Sequence, residues 1–98
     1  MWIACTRGRE YALGAEPLSA AEADYWNFTF DEIGREDLNS MIDKIIATRN
    51  LPSDGCSKVT VVAHDSGASQ ILVAAQDPAL GIASKVDKII TVASCLSI

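Results

Sequence analysis

The sequence predicts an α/β fold, a parallel sheet of about three strands with flanking helices. Apolar runs stand at Met1–Thr6, Val59–Ala63 and Lys88–Ala93, the last two mostly β-branched. Helical patterns separate them, in the order strand, loop, helix, strand, helix, strand. Strands that alternate with helices indicate a parallel sheet, and right-handed crossovers place helices on both of its faces. With 98 residues the chain is one small domain at most.

Met1–Thr6 (MWIACT) shows no polar alternation, as expected of a strand buried on both faces. Thr6–Leu18 holds two glycines and a proline and reads as loop. Ser19–Asp24 reads as a short helical turn capped by Ser19, with Glu22 three places on. The clearest helix follows. Thr29 and Glu32 form a T-x-x-E capping box, and Asp31 and Glu32 suit the positive end of the helix dipole. Phe30, Ile33, Leu38, Met41, Ile42, Ile45 and Ile46 make an apolar stripe opposite Arg35, Glu36, Asn39, Asp43 and Lys44. Gly34 is either a weakness of roughly 1 kcal/mol in that helix or a point of close packing. Asn50 and Pro52 end the helix, and Leu51–Ser57 reads as a turn. A helix over Gly67–Gln76 is broken by Asp77-Pro78, and a shorter one is expected over Pro78–Val86.

The totals exclude several classes. The net charge is −5 and no Lys/Arg cluster exists, which argues against a nucleic-acid partner. No apolar run approaches the ~20 residues of a membrane span. No basic region followed by an apolar core marks a signal peptide at the N-terminus. Cys5, Cys56 and Cys95 are odd in number and widely spaced, so reduced, partly buried thiols are expected, with no metal site and no cofactor. There is one histidine, His64.

The chemistry centres on Lys58–Ser69 (KVTVVAHDSGAS), a strand running through a sharp turn into a helix. That is the form of a nucleophile elbow, in which the residue at the bend projects over the sheet. The usual pattern is G-x-S-x-G, with small residues two places either side of the bend; here it reads Ala63-His64-Asp65-Ser66-Gly67. Asp65 stands where the serine belongs. Ligands of open α/β sheets collect at the carboxyl ends of the strands, where Thr6-Arg7-Gly8, Asp65 and Ser94-Cys95 fall.

Several stretches together resemble the acid lipases of the gastric and lysosomal type. Met1–Arg9 (MWIACTRGR) resembles their strand followed by S-R-G. Tyr25–Ile33 (YWNFTFDEI) is similar to their F-W-x-F-S-F-D-E-M block, continued in register by Asp37-Leu38 and Ile42-Asp43. Val62–Gly67 falls on their G-H-S-Q-G elbow. The resemblance implies a partial α/β-hydrolase fold, with residues 1–98 a fragment of a single α/β-hydrolase domain. The three strands here would be the fourth, fifth and sixth of that fold. Its third strand, which lies between the fourth and fifth, has no counterpart in these residues, nor have the oxyanion loop, the later strands with the catalytic acid and histidine, or the lid. The family hydrolyses neutral lipid esters and is often secreted or lysosomal. A sheet cut in this way leaves open strand edges, so a protein partner covering them is expected.

A serine hydrolase needs an activated serine and two N–H donors for the oxyanion. Asp65 removes the hydroxyl. Ser66 is not expected to replace it, because that would put His64 where a small residue is needed; its backbone N–H matches one oxyanion donor of the family. An aspartate at the elbow also occurs in the epoxide hydrolases and haloalkane dehalogenases, where the carboxylate attacks carbon and water cleaves the ester. The aromatic residue that usually follows is replaced here by Ser66. Asp65 equally suits a purely structural bend or a non-catalytic relic, since aspartate tolerates positive φ. His64 precedes it on the strand and points to the opposite face, so it is expected to pack beneath the sheet. The isolated chain is therefore expected to be inactive on esters. Asn27-Phe28-Thr29 matches a glycosylation sequon, though a cap explains Thr29. Trp2, Tyr25, Trp26, Phe28 and Phe30 are expected to pack rather than line an acyl pocket.

Overall fold

The computed structural model describes residues 1–12, 14–15, 18–49 and 58–94. Asn50 and the turn at Leu51–Ser57, together with Cys56 and Cys95, lie outside the described residues. The first elements, β1 (Gly14–Ala15) and β2 (Leu18–Ser19), form a two-residue antiparallel pair inside the expected loop. Ser19 Oγ accepts from the Ala21 N–H at 3.3 Å, and the helical turn after it is a 3₁₀ turn at Ala23–Trp26.

A helical rod then runs from Phe30 to Arg49 through α1 (Phe30–Glu32), a π-helical stretch (Ile33–Leu38) and α2 (Asn39–Arg49). Its start is as expected. Thr29 Oγ1 accepts from the Asp31 N–H at 3.3 Å, and Glu32 Oε2 accepts from the Thr29 N–H at 2.6 Å. Hydrogen bonds from the Thr29 hydroxyl and N–H hold the Glu32 carboxyl below the usual carboxylate range. The π stretch departs from the continuous α-helix that the apolar stripe predicts. At α-helical pitch, five residues turn Leu38 about 140° away from Ile33. The wider π turn brings the two apolar residues closer to one face. Ile33 and Gly34 are buried there against α3 (Ser66–Gln76).

β3 (Val59–His64) leads through Asp65 into α3. A 3₁₀ turn (Pro78–Leu80) and α4 (Ile82–Lys85) follow, divided at Gly81, whose φ is +63°. β4 (Val86–Val92) completes a two-stranded parallel sheet with β3, paired from Thr60 with Lys88 to His64 with Val92. Val59, Ala63 and Val86 meet Ile42 of α2, Ala68, Ile71 and Ala74 of α3, and Ile82 of α4 in one core. Lys85 ties α4 to α2 through Asp43 and Asn39, each at 2.9 Å. No helix among the described residues is long and apolar enough to cross a membrane.

Two expectations are corrected. Met1–Thr6 is not a strand, so the described sheet has two strands and not three. A strand needs a neighbour about 4.8 Å away. Here a groove of about 1010 Å³ separates this segment from β3, and Met1 and Ile3 are exposed. Secondly, among the described residues helices cover one sheet face only. Val59, Val61 and Ala63 point to the helices, while Val62, 68% exposed, points away with the exposed Ile90 and Val92 of β4. The described residues thus form a two-layer α/β arrangement with one bare sheet face.

Candidate functional site

The site is built at the carboxyl end of β3. Asp65 has φ 52° and ψ −120°, outside the regions that non-glycine residues ordinarily occupy. Such a conformation costs of the order of 1–3 kcal/mol and persists only where the surroundings enforce it. Its N–H donates to Val92 O at 3.0 Å, extending the ladder to β4, and its C=O accepts from the Ala68 N–H at 3.0 Å inside the first turn of α3. The bend is thus pinned from the sheet on one side and from the helix on the other. The Asp65 side chain is exposed and makes no capping hydrogen bond. Its carboxylate remains at the helix N-terminus, where the first N–H groups have no intrahelical acceptor and negative charge is favoured. A second residue at this sheet end, Ala93, also has positive φ (51°).

The structure brings Asp65 and Ser66 together with a residue the sequence did not single out. The Arg9 guanidinium donates to Ser66 Oγ at 3.2 Å, so the loop after residue 6 closes onto the bend although no strand precedes it. No short sequence pattern links residues 57 positions apart. His64 is on the bare face with Val62 and is exposed, so the expectation that it packs beneath the sheet is corrected: no helix among the described residues is there to pack against. The requirement for a small residue at position 67 is corrected as well. A Cβ built on Gly67 meets nothing within 4 Å, because the groove is open on that side. Ala63, by contrast, is buried in the core.

Arg7 is a strut. Its backbone N–H donates to Asp37 Oδ2 at 2.8 Å, its Nε to Asp37 Oδ1 at 2.8 Å, and its Nη2 to Glu36 at 2.7 Å. The hydrogen bonds to Asp37, the largest influence, outweigh burial and keep the guanidinium above its usual range. The guanidinium also lies 5.7 Å from the Phe28 ring centroid. Tyr25 is buried and its hydroxyl donates to Ala12 O at 2.9 Å; Trp26 packs edge-on against it at 4.9 Å. Tyr25 and Phe28 therefore pack as expected, whereas Trp2, Trp26 and Phe30 are each about half exposed. This cluster fixes where the loop carrying Arg9 leaves Arg7.

Fold and site define an α/β segment with a strained strand–turn–helix at the carboxyl end of its sheet. The chain is similar to part of three lipases. It is 29% identical over 73 residues to Lipase 1 of Drosophila melanogaster, covering 74% of this chain and 16% of that protein. It is 35% identical over 46 residues to Lipase lipl-3 of Caenorhabditis elegans, covering 47% of this chain and 11% of that one. It is 26% identical over 78 residues to Triacylglycerol lipase 1 of Arabidopsis thaliana, covering 80% and 18%. The chain thus spans less than a fifth of the length of each. No family model and no solved structure matches it.

Proposed function

We propose that this chain is the elbow-bearing segment of an acid-lipase-like α/β hydrolase, a fold that acts on neutral lipid esters, with its active centre altered at Asp65. The observation that carries this reading is the backbone of Asp65, φ 52° and ψ −120°, at the junction of β3 and α3. A nucleophile elbow requires such a bend to lift its central side chain above the sheet. The likeness to three lipases supports the same reading. Asp65 takes the nucleophile position and the Ser66 N–H the place of one oxyanion donor.

The segment is inert towards esters by itself. Attack on an ester by a serine needs a hydroxyl and a base to take its proton. Asp65 has no such proton, and His64, the one histidine, belongs to the opposite sheet face. The purified chain is expected to hydrolyse p-nitrophenyl butyrate no faster than buffer. Turnover that disappears in Asp65→Ala would overturn this reading. The exposed carboxylate of Asp65 favours one alternative, an aspartate nucleophile of the epoxide-hydrolase kind. A covalent mass increase at Asp65 after incubation with styrene oxide would support that alternative.

A further inference from the structure

Asn27 stands at the tip of a tight turn with its side chain unengaged. The chain has three asparagines, Asn27, Asn39 and Asn50, and only Asn27 completes the N-x-S/T pattern, as Asn27-Phe28-Thr29. Asn27 has φ −80° and ψ 68°, and the Phe28 N–H donates to Trp26 O at 2.9 Å. That is an inverse γ-turn centred on Asn27. The turn joins the 3₁₀ turn at Ala23–Trp26 to the start of the rod. The residues on either side face inwards. A Cβ built on Gly8 would meet the Phe28 ring at 2.8 Å and the Trp26 ring at 3.1 Å, so both rings lie over the loop after Arg7. Trp26 Nε1 donates to Ala20 O at 2.8 Å, which holds its ring in place. Asn27 itself is exposed, and its side chain makes no hydrogen bond to a described residue. Thr29 is exposed as well.

We propose that Asn27 is the attachment site of an N-linked glycan, which requires that this protein pass through the secretory pathway. The donor is an oligosaccharide joined through pyrophosphate to a lipid. Asn27 Nδ2 attacks C1 of its first sugar; the N–C1 bond forms and the C1–O bond to pyrophosphate breaks. The lipid pyrophosphate leaves with the electron pair, and a base of the transferase takes the amide proton. The transferase reads the hydroxyl two places on, that of Thr29. Thr29 also caps the rod, through the Asp31 N–H and the Glu32 carboxylate. The two roles do not compete, because transfer to the extended chain precedes the folding that forms the cap. The folded chain has only to accommodate the sugar, and Asn27 takes no part in the core. Trp26 and Phe30 nearby are 47% and 52% exposed, and the glycan adds polar, solubilising bulk beside them. The inference is independent of the chemistry assigned to Asp65.

The test begins with the protein from its natural source. Trypsin releases residues 10–35, in which Asn27 is the single asparagine. This peptide is expected as a glycopeptide, which peptide-N-glycosidase F converts to the free peptide with aspartate at position 27. Recovery of the peptide solely with unmodified Asn27 would overturn the proposal. A second arm separates modification from capping. The 98-residue chain is expressed in insect cells behind a cleavable signal sequence. Its gel mobility is read in cells and medium together, so that a variant that fails to fold is still scored. The unchanged chain and Thr29→Ser are expected to show a shift that the glycosidase removes. Thr29→Asp, which keeps an N-cap but not the acceptor pattern, is expected to lose the shift, as is Asn27→Gln. No shift in the unchanged chain, or a shift that survives in Thr29→Asp, would overturn the proposal.

Discussion

Gly34→Ala is expected to destabilise the protein by about 2 kcal/mol, although alanine is the better helix former by ~1 kcal/mol. A Cβ on Gly34 would stand 2.7 Å from Gln70 O and 3.3 Å from both Ala74 N and Val73 Cγ1. The first two are backbone atoms of α3 and cannot rotate away. The π stretch and α3 must separate by several tenths of an ångström, and overpacking of this kind costs about 1–3 kcal/mol beyond any helical gain. The loss propagates because α3 carries Ala68, Ile71 and Ala74, three of the most buried core residues. Gly67→Ala provides the control. It also sits in a helix, but its Cβ meets nothing, so a neutral or slightly favourable effect of up to about 1 kcal/mol is expected. Urea midpoints of the two variants measure the contrast. Equal effects would mean that the contact between the rod and α3 is looser than described.

The second large effect is expected from Asp37→Ala, at about 2–3 kcal/mol. Its side chain is 10% exposed and takes three hydrogen bonds from Arg7, one of them from the main chain. Hydrogen bonds to charged groups contribute about 1.5–3 kcal/mol, and stripping a buried partner from an ion pair costs about 3–5 kcal/mol. Arg7 keeps 30% of its side-chain surface in water, which tempers the cost of leaving it unpaired. Asp37→Asn retains one acceptor and is expected to lose about half as much. Glu36, 63% exposed, is the weak partner, and Glu36→Ala is expected to change stability by less than about 0.5 kcal/mol. Tryptophan emission should report the Asp37 loss directly, because Trp26 packs beside the Phe28 ring over which Arg7 lies.

Local chemistry was the legible part. The T-x-x-E box marked the start of the rod, and the cap forms with both of its hydrogen bonds. The β-branched run before Asp65 and the small residues after it gave β3 and α3 nearly to the residue. What was illegible depended on partners distant in the chain. An apolar run such as Met1–Thr6 becomes a strand only if an edge lies within hydrogen-bonding reach, and composition does not say whether one does. Likewise Val62, Ile90 and Val92 have the hydrophobicity of buried positions, yet nothing among the described residues covers them. The π turn had a faint signal in the five-residue step from Ile33 to Leu38, which no α-helical stripe accommodates. At the candidate site, Asp65 and its bend were readable from spacing, but Arg9 was not, because only the closed loop brings it to Ser66.

Whether Asp65 is held at a strained elbow is decided by its own backbone. At an ordinary helix N-cap, replacing aspartate by glycine costs a few tenths of a kcal/mol. At φ 52° and ψ −120°, glycine relieves strain of about 1–3 kcal/mol, against losses of about 0.5–1 kcal/mol in chain entropy and 0.3–1 kcal/mol in dipole interaction. Asp65→Gly is therefore expected to be more stable than the unchanged protein, by about 1 kcal/mol in urea denaturation. Asp65→Gly less stable than the unchanged protein would contradict it, and the bend at residue 65 would then be an ordinary helix start.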